Sequence, residues 1–259
     1  MKTQNINRIL IPLDFSETGL LALDHAAFMA RLFKADLYLL HVVEIIELAY
    51  NVYGPILLDS PFLKIRDNEE IEKIASEKLN KLAKKISKRN GITVIPLISF
   101  DRVISGITEV AKDNNIDIIV MGTHGAKGFN EYFIGSNSHK AVTVSPCPVV
   151  TVQTHAKKLG FKNIVMPIDN ALHSRQKVDL TIELAAKYGA KIHILGLNNP
   201  KDVNEKNKFS IKIDSVEKAV KHSKLKYVRK IVKGKNLAIT AMNYSKKMNN
   251  PAAELRSIA

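Results

Sequence analysis

The amino-acid sequence predicts an α/β protein built on an open, parallel, doubly wound sheet. It predicts the unit twice, with the second copy truncated. Three observations carry this reading. Short apolar runs of strand length alternate with longer segments whose apolar residues recur at helical spacing. The chain then begins again about 155 residues on: "NRILIPLDFS" at 7–16 is echoed by "KNIVMPIDNA" at 162–171. The echo lacks a counterpart of the first copy's fourth strand. Strands alternating with helices give a parallel sheet covered on both faces, because each crossover lays a helix across the sheet.

The elements follow in order. "RILIPL" at 8–13 reads as a buried strand ending at Asp14, and 18–33 as a helix. "ADLYLLHVVE" is the second strand. Residues 68–89 form a long amphipathic helix with Ile71, Ile74, Leu79, Leu82 and Ile86 near one face. Gly91 is placed to stop it. "ITVIPLIS" is a third strand, 103–115 a helix, "IDIIVMG" a fourth strand, 136–145 a helix and "CPVVTVQ" a fifth strand. The segment 44–67 is longer than an ordinary connection and reads as a flap or a partner surface.

In the second copy "LTIELAAKYGAKIHILGL" repeats the first helix and second strand. A long polar segment, the strand-like "KYVRKIVK" and the helix-like "NLAITAMNYSKKMNN" follow. The expected division is a complete unit over 1–154 and a partial one over 160–259, which lacks a glycine loop and the last two strands. A natural partial unit and a cut one are both compatible with that pattern, and the cut one is preferred.

The net charge of +14 belongs wholly to the second part. Residues 1–155 carry 17 Lys/Arg and 17 Asp/Glu, whereas 156–259 carry 22 and 8. A basic half can attract polyanions. Its lysines are dispersed with little aromatic surface among them, so a solvated lysine-rich surface is preferred and nucleic acid is not the expected partner. The longest apolar runs, such as "LYLLHVV", fall far short of the ~18 residues of a membrane span. The N-terminus has no apolar core of signal-peptide type, and one cysteine, Cys147, allows no intrachain disulfide. A cytoplasmic protein without membrane contact is the expectation.

The chemistry concentrates after the fourth strand, where the chain reads Gly122-x2-Gly125-x9-Gly135-Ser136. Glycine at a strand end lets backbone approach a ligand. Gly135 and Ser136 precede a helix, so their amides, with those of Asn137 and Ser138, can point at phosphate oxygens, and the hydroxyls add donors. His124 and Lys127 open the intervening segment. No G-x4-G-K-[ST] is present, and the first strand is followed by "DFSETG" rather than G-x-G-x-x-G. Those two facts argue against a P-loop and a dinucleotide site.

This spacing resembles the nucleotide-binding signature of the universal stress protein family. "ILIPLDFSE", "LLHVVE" and "SPCPVVTV" resemble the family's first, second and fifth strands. The resemblance covers the first copy entirely and the second through its third helix. It implies a tandem form with an incomplete second unit and a strand order of 3-2-1-4-5. It implies ATP or a similar adenine nucleotide, with any Mg²⁺ carried on the phosphates. The adenine contacts it implies fall on Pro12, Leu13, Asp14 and Val42. The ribose and phosphate contacts fall on Met121, Gly122, His124, Gly125, Gly135, Ser136, Asn137 and Ser138. It also implies self-association through fifth strands, as a homodimer or as packing of the two units within one chain.

Plainer readings stand beside these. Asp14 can cap the first helix, since Asp14-x-x-Glu17 has capping-box spacing. Asp169, its counterpart, is read as structural. His41 is read as a hydrogen-bonded structural histidine, His124 equally as a nucleotide contact or a loop residue, and Cys147 as a buried, inert thiol. No catalytic residue and no metal-only site is assigned. The leading function is a nucleotide-binding regulatory protein of the stress response. The alternatives are a slow ATPase or nucleotidyl-transfer enzyme on the same fold, and a non-nucleotide module whose basic half docks a polyanion.

Overall fold

The structure is a computed structural model and describes residues 5–44, 63–123, 136–170, 177–197, 203–233 and 237–248. The chain divides into two compact units, one of Ile6–Thr154 and one beginning at His155. The first unit runs β1 (Arg8–Pro12), α1 (Glu17–Phe33), β2 (Asp36–Val43), α2 (Leu63–Asn90), β3 (Val94–Phe100), α3 (Val103–Asp113), β4 (Ile118–Gly122), α4 (Ser136–Val144) and β5 (Val149–Val152). Its five strands are all parallel, in the order β3-β2-β1-β4-β5. That is the expected order. It reverses between β1 and β4, which opens a crevice beyond their carboxyl ends.

The sheet is apolar on both faces because both are covered. Leu10, Leu40, Ile119 and Met121 pack with Ile107 and Ala111 of α3 and Ala141 of α4. Ile9, Ile11, Leu37 and Leu39 are also fully buried, as are Ala22, Leu23 and Ala26 of α1 and, nearly so, Leu79 and Ile86 of α2. Each leucine or isoleucine among these contributes about 1.5–3 kcal/mol on burial, and the alanines less.

The helix ends follow from local chemistry. Lys34 takes a left-handed φ of 56° to close α1. Gly91, at φ 64°, ends α2 as expected, its amide donating to the Ser87 carbonyl. α2 begins at Leu63, so it takes in the last five residues of the segment expected to form a flap. Glu44 is described, its Oε1 accepting from the Val103 amide at 3.1 Å, and 45–62 lie outside the described residues.

The second unit runs β6 (Asn163–Ile168), α5 (Lys177–Tyr188), β7 (Lys191–Leu197), α6 (Val203–His222), β8 (Tyr227–Val232) and α7 (Leu237–Lys247). Its three parallel strands stand in the order β6-β7-β8. This repeats the β1-β2-β3 half of the first sheet with the same register: Pro12 faces Leu40, and Pro167 faces Leu195. The long polar segment is helix α6, whose buried Phe209, Ile213, Val216 and Val220 recur at helical spacing. No helix among the described residues is long and apolar enough to cross a membrane.

Candidate functional site

The site is built around the turn from β1 into α1. Asp14 is exposed, and its Oδ1 accepts from the Ser16 amide at 3.0 Å and the Ser16 hydroxyl at 2.6 Å. Ser16, not Asp14, is the N-cap of α1: its Oγ accepts from the Gly19 amide at 3.0 Å. The capping-box reading of Asp14 is therefore corrected. Asp14 braces the cap from two residues before it. Gly19 makes room for this, since a Cβ there would stand 2.6 Å from Asp14 Oδ1.

Leu13 is buried, its amide donating to the Leu40 carbonyl at 2.8 Å. Its carbonyl pairs with His41 Nδ1 at 2.8 Å, which requires the Nδ1–H tautomer. His41 is thus a hydrogen-bonded structural residue. Phe15 has a left-handed φ of 58°. Its ring meets His41 edge-on at 5.0 Å, and Lys78 Nζ sits over it, 3.8 Å from the ring centre. Pro12 is half-buried at the end of β1. Val42 packs beside Gly106 of α3, where a Cβ would come within 3.3 Å of both Val42 methyls.

The second wall is the end of β4. Met121 is buried in the core under α3 and α4, so its side chain is occupied there. Gly122 packs against α1: a Cβ would lie 3.0 Å from the backbone carbon and oxygen of Thr18. The need for glycine at this position therefore comes first from helix–strand packing. The carbonyl of Gly122 accepts the Ser138 hydroxyl at 2.7 Å. Ser138 is buried and its hydroxyl proton is committed, which leaves its backbone amide as the group free of that bond. Ser136 and Asn137 are exposed at the start of α4, where the first amides have no partner within the helix. His124, Gly125 and Gly135 lie outside the described residues.

These contacts form one connected path. Asp14 braces Ser16 and Gly19, the neighbouring Thr18 touches Gly122, and Gly122 holds Ser138. Sequence reasoning missed the roles of Ser16, Phe15 and Lys78. A Ser three residues before a glycine amide at a helix start was the available signal for Ser16. No sequence pattern announces a lysine over an aromatic ring.

In the second unit the corresponding turn differs. By register, Gly196 occupies the place of His41. A Cβ there would come within 2.5 Å of Ile213 Cδ1, 3.0 Å of Phe209 Cζ and 3.2 Å of Ile231 Cγ1. Apolar side chains of α6 and β8 thus occupy the space beside the second strand. Lys212 donates to the backbone carbonyl of Asp169 at 3.2 Å. Burial lowers the pKa of Lys177, with the Asp169 carboxylate acting against it. In the first unit, half-buried Cys147 has its thiol pushed up to about 12, by burial first and then by the charge of Asp117.

Residues 5–153 match the universal stress protein family. A universal stress protein of Methanocaldococcus jannaschii is 30% identical over 156 residues, which is 56% of this chain and 94% of that protein. One of Bacillus subtilis is 29% identical over 149 residues, covering 57% of this chain and 99% of the other. The crystal structure of a universal stress protein from Archaeoglobus fulgidus aligns with a TM-score of 0.70 at 16% identity. It covers 95% of this chain and 85% of that one, a likeness of fold that takes in both units. A match over more than half the chain, on top of the 3-2-1-4-5 sheet and the three-stranded repeat of its first half, makes this chain a member of the universal stress protein family.

Proposed function

We propose that the first unit binds an adenine nucleotide, ATP, and that the protein serves as a nucleotide-dependent regulator in the stress response. The observation that carries this is the convergence at the sheet's switch point. The exposed Asp14 carboxylate and the end of β4 at Gly122 are linked through the first turn of α1. A carboxylate there can accept from the exocyclic amine of adenine. The amides of Ser136, Asn137 and Ser138 at the start of α4 suit phosphate oxygens, which the helix terminus favours electrostatically. Mg²⁺, in this reading, travels on the phosphates.

Which groups remain available sharpens the assignment. Leu13 spends its amide on Leu40 and pairs its carbonyl with His41, so its contribution is shape. Pro12, Val42 and Met121 likewise offer apolar surface or backbone. Asp14 is the base-reading group. His124, Gly125 and Gly135 belong to the same proposal through the spacing of the motif. Self-association through β5, which ends the five-stranded sheet, completes the reading.

Native mass spectrometry and titration calorimetry test it. The full chain should bind one ATP per chain. Asp14→Ala, at an exposed position, should weaken binding of ATP more than of inorganic triphosphate. Gly135→Val should remove binding of both. Gly122→Val is a poor probe, because its side chain would strike Thr18 whatever the ligand does. Wild-type protein that binds no adenine nucleotide would overturn the reading.

A further inference from the structure

Asp14 is held from both sides. The residue before it, Leu13, has its carbonyl bonded by His41 at 2.8 Å. The residue after it, Phe15, has its ring against the same His41 and under Lys78. Phe15 is bulky and left-handed, at φ 58°, a conformation that persists where the surroundings over-determine it. Here the surroundings are an imidazole edge and an ammonium group. Lys78 belongs to α2, which is remote in sequence from the turn.

The second unit repeats the device with different chemistry. Lys78 immediately precedes the buried Leu79 of α2, and Lys212 immediately precedes the buried Ile213 of α6. Asp169 corresponds to Asp14 by the register of β6 and β1. Lys212 donates to the Asp169 carbonyl at 3.2 Å. In both units, then, a lysine of the long helix reaches over the sheet's carboxyl end to the turn that follows the first strand.

The geometry points to Lys78 as a positioning residue for Asp14: its ammonium, seated on Phe15, holds the turn in the form that presents the carboxylate, and so couples α2 to that carboxylate. This rests on the proposed nucleotide reading only for its consequence, which is tighter binding of an adenine nucleotide. The positioning itself is a property of the turn. An ammonium over an aromatic face requires the charge, so the side chain's length alone does not suffice.

Lys78→Met keeps the length and removes the charge; Lys78→Arg keeps the charge and the ring contact. Lys78 is exposed, so both variants should fold. Two quantities are read on the full chain. Hydrogen exchange of the Ser16 and Gly19 amides, which are bonded to Asp14 Oδ1 and Ser16 Oγ, reports the turn without ligand. Calorimetry with ATP reports the site. Lys78→Met should speed both exchanges and weaken ATP by about two- to fivefold. Lys78→Arg should restore both. In combination with Phe15→Leu, Lys78→Met should add nothing, because the ring it acts through is gone. Unchanged exchange in Lys78→Met, or additive losses in the double variant, would overturn the inference. If the wild-type protein binds no ATP, the functional reading fails, and the exchange arm still decides the role of Lys78.

Discussion

Ser138 donates its hydroxyl to the carbonyl oxygen of Gly122 at 2.7 Å, tying the first turn of α4 to the end of β4. Ser138 is buried and the bond part-buried, so little water competes for it. Ser138→Ala would leave that carbonyl without this partner, at a cost of about 1–3 kcal/mol. Urea denaturation should show that loss. If ATP binds as proposed, its affinity should fall too, since the bond sets where the α4 amides begin. A variant with wild-type stability and affinity would contradict both.

Gly122→Ala should destabilise the first unit by about 1–3 kcal/mol through overpacking. The atoms that a Cβ would meet include the backbone of Thr18 at 3.0 Å. Trimming the Thr18 side chain in a double variant with Thr18→Ser should therefore give little rescue. Full rescue would show that the side chain, not the backbone, limits the approach.

Gly196 makes the opposite case. The nearest atom to its missing Cβ is the side-chain tip of Ile213, at 2.5 Å. Gly196→Ala should destabilise the second unit by about 1–3 kcal/mol. Ile213→Val removes that tip, so the double variant should be more stable than the sum of the two losses predicts. Additive losses in denaturant titrations would contradict the packing described here.

His193 of β7 gives the second unit a dependence on pH. Its ring is buried, with Nδ1 3.0 Å from the Tyr244 hydroxyl of α7 and Nε2 3.1 Å from Asn163 Oδ1 of β6. Burial, and then the charge of Lys191, lower its pKa from the ordinary 6.5. The unfolded chain therefore takes up the proton first as pH falls. This contribution to stability is complete above pH 6.5 and is lost as pH falls from there through the lowered folded value. His193→Gln should flatten the pH dependence of the denaturation midpoint between about pH 7 and 5. Parallel curves for the two proteins would contradict it.

The order and type of the elements were legible because both periodicities are strong. Two-sided burial makes β1, β2 and β4 continuous apolar runs, and α1 and α2 carry one apolar face. The helix α6 was harder. Its apolar positions recur correctly at 209, 213, 216 and 220, yet polar residues surround them and the segment read only as polar. At the site, the sequence located the turn at Asp14 and the glycine at 122. It did not reveal which side-chain oxygen caps α1, because Asp14 and Ser16 are both good capping residues two positions apart. The tertiary approach of Thr18 to Gly122, and of Lys78 to Phe15, joins residues whose separation in sequence carries no local signal.

The chain contains no tryptophan and seven tyrosines, so tyrosine dominates its ultraviolet emission. Tyr244 is the member of that set whose hydroxyl meets His193, with Lys230 Nζ 5.5 Å from its ring centre. Imidazole is a proton acceptor for an excited phenol, so Tyr244 emission should be low with α7 docked and should rise when it detaches. The His193–Tyr244 contact of α7 is thus also a built-in optical gauge of whether that helix is seated, readable without any label.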